Sequence, residues 1–121
     1  MRLPRKNSMT RRDEFARVRT TGQAKVGRFV ILSTLPEPSL DGLRTGFITT
    51  RKTGKAHDRN LLRRRFRAMV QAHAPRFVDA KRYLVTIARP GAAAATFDEL
   101  EADWLRQAKR LGLLASSAPR P

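Results

Sequence analysis

Arg59, Arg63 and Arg67 recur at i, i+4 and i+8 in a stretch that also holds Arg51, Lys52, Lys55, Arg64 and Arg65. The only acid among residues 51–67 is Asp58. On a helix this spacing stacks like charges, which weakens an isolated helix by about 0.2–0.5 kcal/mol per pair. Arg59 also falls near the helix start, at the positive end of the dipole. Helix stability alone does not select such a pattern, but phosphate does. The planar guanidinium grips phosphate through two hydrogen bonds and stacks on bases, and 20 of the 26 basic residues are Arg.

Other chemistries find no support. The chain has no Cys, which excludes thiolate catalysis, disulfides and cysteine-built zinc sites. His57 and His73 stand alone, and no paired carboxylates accompany them; His73 falls on an apolar stripe, as a core or rim histidine does. Asp58 reads as a helix cap rather than a base. The run RKTGK at 51–55 has one glycine and lacks phosphate-loop spacing. No nucleophile, base and orienting group stand together. This polypeptide supplies recognition, and catalysis belongs to a partner.

Net charge supports that conclusion. The chain has 121 residues, 26 basic against 10 acidic, for a formal charge of +16 and an apolar fraction of 40%. That is one domain with one core, carrying far more charge than solubility requires. A polyanionic partner accounts for it, with nucleic acid ahead of a membrane surface. A helix lying on lipid would pair its basic face with exposed Leu, Trp or Phe, whereas here the apolar stripe is narrow and needed for the core. No apolar run is long enough to cross a bilayer. The basic start MRLPRKNSMTRR leads into DEFARVR, not into a signal-like apolar segment. The expectation is a cytoplasmic protein without a membrane partner.

The elements that position these residues follow from periodicity. Residues 1–9 read as a flexible basic arm, 10–114 as the domain and 115–121 as a flexible tail. Thr10-x-x-Asp13 predicts a helix start, Phe15 and Val18 its apolar stripe, and Gly22 its stop. Residues 29–35 form a strand apolar on both faces; Pro36, Pro38, Asp41 and Gly42 make a turn, and residues 43–51 form the next strand, predicted to pair antiparallel with the first. The helix that follows ends at Pro75. Leu62, Phe66, Met69 and His73 share its apolar side, and Arg59, Asn60, Arg63, Arg64, Arg67 and Gln71 fill an arc of roughly 140° beside it. Residues 83–88 predict a third strand, with Val85 and Ile87 on one face. Thr96-x-x-Glu99 opens a last helix carrying Leu100, Trp104, Ala108 and Leu111 on one stripe. Asp98, Glu99, Glu101 and Asp103 are taken as first-turn acids placed by the dipole.

Residues 43–67, LRTGFITTRKTGKAHDRNLLRRRFR, resemble the signature of the bacterial ribonuclease P protein family. Arg44, Gly46, Arg51, Lys52, Gly54, Ala56, Arg59, Asn60, Arg64 and Arg67 match it in order and spacing. Glu14-Phe15, the strand at 83–89 and a closing helix agree, so the resemblance covers about residues 10–112. It implies an α+β fold: a single α-β-β-β-α-β-α domain whose four-stranded sheet carries the basic helix in a left-handed β-α-β crossover, against the usual right hand. It also implies a subunit of ribonuclease P that assists a catalytic RNA in removing the 5′ leader from precursor tRNA.

Arg51, Lys52, Lys55, Arg59, Asn60, Arg63, Arg64 and Arg67 would bind the catalytic RNA; Arg11, Arg12, Phe15, Arg19, Val30 and Leu32 would hold the leader. Mg²⁺ would act through the RNA partner, with none bound by this chain and no catalytic residue in it. One protein monomer would serve each RNA. Two positions depart from the family: Leu61 stands where its Arg-Asn-Arg motif has a third charge, and Arg19 where a second Phe is common. A ribosomal or ribosome-associated structural RNA-binding protein is the alternative that the same charge would serve.

Overall fold

The computed structural model describes residues 8–114, so the tail at 115–121 and most of the basic arm lie outside the described residues. The arm's end is not free: Met9 is buried, and its N–H donates to Thr45 O at 2.8 Å, with Ser8 bridged to Thr45 in parallel. Helix α1 (Arg12–Thr21) starts at Arg12 and not at Thr10. The acid that closes its first turn is Glu14, not Asp13: Glu14 Oε1 accepts from the N–H groups of Thr10 and Arg11, each at 3.1 Å. Glu14 Oε2 also faces Arg44 Nε at 3.2 Å, which ties the helix start to the sheet.

Four strands follow the expected order of elements: β1 (Gln23–Val26), β2 (Val30–Pro36), β3 (Arg44–Ile48), then helix α2 (Ala56–His73), β4 (Arg82–Ala88) and helix α3 (Phe97–Arg110). The sheet order is β1-β2-β4-β3, which overturns the predicted β2–β3 pair. β4 sits between them, antiparallel to β2 and parallel to β3. The relative direction was read correctly and the adjacency was not. Residues 37–43 can span the two strand spacings, about 10 Å, that leave a slot for β4. β1, implied by the family resemblance, leaves no periodicity signal of its own, because Gln23-Ala24-Lys25-Val26 is short and mostly exposed, without the β-branched run that marks a strand.

Strand alternation splits the core in two. Val30, Leu32, Leu84 and Ala88 face α2 and α3, where they meet Leu62, Phe66, Met69, Val70, Leu100 and Trp104, all buried. Trp104 Nε1 donates to Thr86 Oγ1 at 3.1 Å, so the indole is buried with its donor satisfied. Tyr83, Val85 and Ile87 face the other way, toward Met9, Phe15 and Val18. Thr96 and Glu99 make the expected capping box of α3.

The four acids near the start of α3 need a correction, because the dipole explains only two of them. Asp98 and Glu99 lie in the first turn. Glu101 Oε2 lies 2.9 Å from His73 Nε2 on α2, and the His73 ring stacks on Trp104. Asp103 is 8% exposed and reaches the β1–β2 turn. Its Oδ1 accepts from Arg28 N–H at 3.2 Å, and its Oδ2 accepts from Phe29 N–H at 2.8 Å and Val30 N–H at 3.1 Å. Gln107 Nε2 donates to Oδ1 at 3.1 Å. A Cβ on Gly27 would come within 2.5 Å of both carboxylate oxygens, so the turn needs glycine there.

Candidate nucleic-acid interface

β3 delivers the chain to the basic segment through a 3₁₀ turn at Arg51–Thr53, which leaves Arg51 and Lys52 exposed while Thr53 is buried. Thr53 Oγ1 donates to Thr50 O at 2.6 Å and closes the turn. Gly54 follows at φ +136, a conformation that side chains resist, and a Cβ there would lie 2.6 Å from Asp58 Oδ2. Asp58 accepts from Lys55 N–H at 3.2 Å, so it caps α2 from within the first turn. The loop and helix start are thereby fixed by neutral backbone groups and one acid, leaving the cations outside.

The cations of α2 divide by partner. Arg63 donates to Thr49 Oγ1 and, at 2.7 Å, to Asn60 Oδ1, so Asn60 positions it. The Arg67 guanidinium lies 5.9 Å from the centroid of the Phe47 ring. Arg59 is half-buried, and its Nε finds no acceptor among the described residues. Arg64 and Lys55 are exposed. Arg65, outside that arc, is structural: its Nη1 donates to Ala95 O at 3.0 Å and ties α2 to the segment before α3. Leu61 is half-buried beside them. Among the described residues, no Arg of α2 forms an ion pair, whereas Arg11, Arg17, Arg44 and Arg82 each face a carboxylate. On the Arg17–Glu37 pair, the hydrogen bond from Arg17, followed by that from Ser39, holds the Glu37 carboxyl below its ordinary range.

A second feature is a cleft of about 240 Å³ between α1 and the sheet. Phe15, Val18 and Arg19 form its helical wall, and Ile31, Ser33, Val85 and Ile87 its floor. Ala24 and Ile48 close the two sides. Gly46 admits the Phe15 ring: a Cβ there would lie 2.5 Å from Phe15 Cε1. Arg19 is exposed at the rim; among the described residues it is the one charged group lining the cleft, and Ser33 the one polar residue of the floor. A flat apolar floor, an aromatic wall and a cation at the edge suit an unpaired nucleotide.

Phe15 and Arg19 thus come together as expected, and Arg12 lies on the same helical stripe at i, i+3 and i+7. Arg11 stands one turn before Phe15 but is engaged with Asp13 at 3.2 Å. Val30 and Leu32 are misplaced in the sequence reading. Both are fully buried under α2 and α3, on the opposite face of the sheet, and cannot reach the cleft. Their neighbours Ile31 and Ser33 take that place, because side chains alternate along a strand. A run apolar on both faces does not reveal which alternate set faces the cleft. Val85 and Ile87, already assigned to one face of their strand, were the available signal.

Among the described residues, no group of three or more His, Cys, Asp or Glu could hold a metal ion, and no helix is long and apolar enough to cross a membrane. Comparison with known proteins gives a consistent result. Residues 3–112 match the profile of the family described as Ribonuclease P. The ribonuclease P protein component of Chloroflexus aggregans is 36% identical over 119 residues, covering 98% of this chain and 87% of that protein. That of Syntrophomonas wolfei is 36% identical over 115 residues, covering 88% and 95%. Among solved structures, the RNase P protein of Staphylococcus aureus superposes with a TM-score of 0.83 at 20% identity, over 90% of this chain and 98% of that one. The protein from Thermotoga maritima gives 0.73 at 19% identity, over 90% and 98%.

Proposed function

We propose how this chain works from the premise that it belongs to the ribonuclease P protein family. As a member it is the protein subunit of a tRNA-processing ribonucleoprotein and has an RNA partner. The basic turn and helix, with Arg51, Lys52, Lys55, Arg59, Asn60, Arg63, Arg64 and Arg67, bind the catalytic RNA. The cleft, with Phe15 and Arg19, holds the single-stranded 5′ leader of precursor tRNA. Arg11 and Arg12 extend that track at the start of α1. The RNA performs the endonucleolytic cut, and Mg²⁺ would act through that RNA.

The observation that carries this reading is the pairing of the arginines. Arg17, Arg44 and Arg82 face acids, whereas Arg63 and Arg67 of α2 are positioned by Asn60, Thr49 and Phe47, and among the described residues no carboxylate pairs with an arginine of α2. Guanidiniums held in place by neutral partners lose little freedom when they meet phosphate. The test adds the purified chain to transcribed catalytic RNA and precursor tRNA at low Mg²⁺. Stimulated release of the 5′ leader is expected, with no cleavage when the RNA is omitted. A ribozyme unaffected by the chain would overturn the proposal, and co-sedimentation with ribosomal subunits would then favour a ribosomal role.

Two expected results refine it. Arg63→Ala/Arg67→Ala should flatten the log–log salt dependence of catalytic-RNA affinity by roughly 1–2 units, one phosphate per cation. An unchanged slope and affinity would remove this face from the interface. Arg19→Phe should make the preference for a leader of five nucleotides over one nucleotide less sensitive to salt, because stacking replaces a phosphate or cation–π contact. Identical salt slopes for parent and variant on the long leader would show that Arg19 takes no part.

A further inference from the structure

The arginines at the opposite edge of the sheet from β3 share the pairing pattern of α2. Arg89 Nη1 donates to Gly27 O at 2.6 Å, and Arg110 Nη1 donates to Gln107 Oε1 at 2.7 Å beside Val26 O. The Arg28 guanidinium lies 5.0 Å from the centroid of the Phe29 ring. Arg106 is exposed one turn before Arg110 on α3. Lys25 pairs with Leu32 across β1 and β2, so its side chain is on the α3 face as well. These partners are carbonyls, an amide and a ring, none of which neutralises charge. The carboxylate at this place, Asp103, is buried, and its oxygens are occupied by three backbone N–H groups and Gln107.

We propose that the β1–β2 turn and the adjoining end of α3 form a second RNA-backbone contact, with Arg28, Arg89, Arg106 and Arg110 as its phosphate ligands. The proposal rests on the RNA-partner reading above and extends it to the other edge of the molecule. β1 and β3 are three strand spacings apart, about 14 Å, so this contact and that of α2 reach different phosphates. The dipole at the C-terminus of α3 would account for Arg110 alone. It does not account for Arg28 and Arg89, which come from other elements and converge on the same turn. Asp103 keeps that turn rigid, so the contact is preorganised.

The test uses the full chain with two RNA probes: transcribed catalytic RNA alone, and precursor tRNA added to the saturated protein–RNA complex. Arg28→Gln/Arg106→Gln removes two exposed cations without touching a buried group. It should leave the thermal midpoint unchanged and flatten the salt slope by roughly 1–2 units for one of the probes, which identifies the RNA contacted. The chain has no cysteine, so Ala102→Cys, exposed on α3 one turn before Arg106, provides a unique tether for an iron chelate. Strand scission of the same RNA, at nucleotides other than those cut from a Lys52→Cys tether, is the second expected result. Unchanged slopes for both probes and no scission from position 102 would overturn the proposal. Arg64→Gln on α2 separates the failures: if it flattens the slope while Arg28→Gln/Arg106→Gln does not, the second contact fails and the RNA-partner reading stands; if neither variant matters, both fail.

Discussion

Phe66→Ala is expected to remove about 3–5 kcal/mol of stability, a large share of the roughly 5–15 kcal/mol available to a domain. Phe66 stands inside the Arg run but is fully buried, packed with Leu62, Met69, Val70 and Trp104. Its ring also stacks on Phe47 of β3, with centroids 6.2 Å apart. Truncation leaves a cavity where α2 meets the sheet, under the Phe47 ring that supports Arg67. Thermal unfolding should show a midpoint lower by on the order of 15 °C. Phe66→Leu, which keeps most of the volume, should lose less than half as much stability. A full midpoint for Phe66→Ala would mean that this ring is not part of the core.

Asp103→Ala should be comparably severe for a different reason. It removes the acceptor of three backbone N–H groups and leaves an unpaired donor that is buried at Val30 and partly buried at Phe29 and Arg28. Hydrogen bonds to a charged group contribute about 1.5–3 kcal/mol each, not additively, so a loss of roughly 3–5 kcal/mol is expected. Asp103→Asn keeps one acceptor oxygen and should fall between the two. Hydrogen exchange locates the damage: the amides of Arg28, Phe29 and Val30 should lose protection before those of α2. Unchanged protection at those amides would show that the carboxylate does not hold the turn.

The legible parts of this molecule are those where one periodicity dominates. Leu62, Phe66 and Met69 at helical spacing announced the buried side of α2, and Thr96 with Glu99 announced the start of α3, because local geometry decides both. Contacts between distant segments left weaker traces. Nothing in the first-turn composition of α3 distinguishes Asp103, which meets the β1–β2 turn some 75 residues away in sequence, from Asp98, which meets solvent. For the same reason the helix side of the cleft was readable and its floor was off by one residue. Phe15 and Arg19 follow from a single helix, whereas choosing Ile31 and Ser33 over Val30 and Leu32 requires knowing which sheet face α1 covers.

The central place of β4 sets the order in which the molecule can be built. A chain synthesised only as far as His73 already contains the whole basic helix, but Val85 and Ile87, half of the cleft floor, do not yet exist. β2 and β3 have no direct pairing and must wait for residues 82–88 to join them. That closure brings together positions about 50 residues apart, and pairings of such long sequence separation are slow to form. The nascent chain therefore acquires its affinity for polyanions before it acquires a cleft. Core and cleft are completed in one late step, so a truncated or half-folded product carries the basic helix without the cleft.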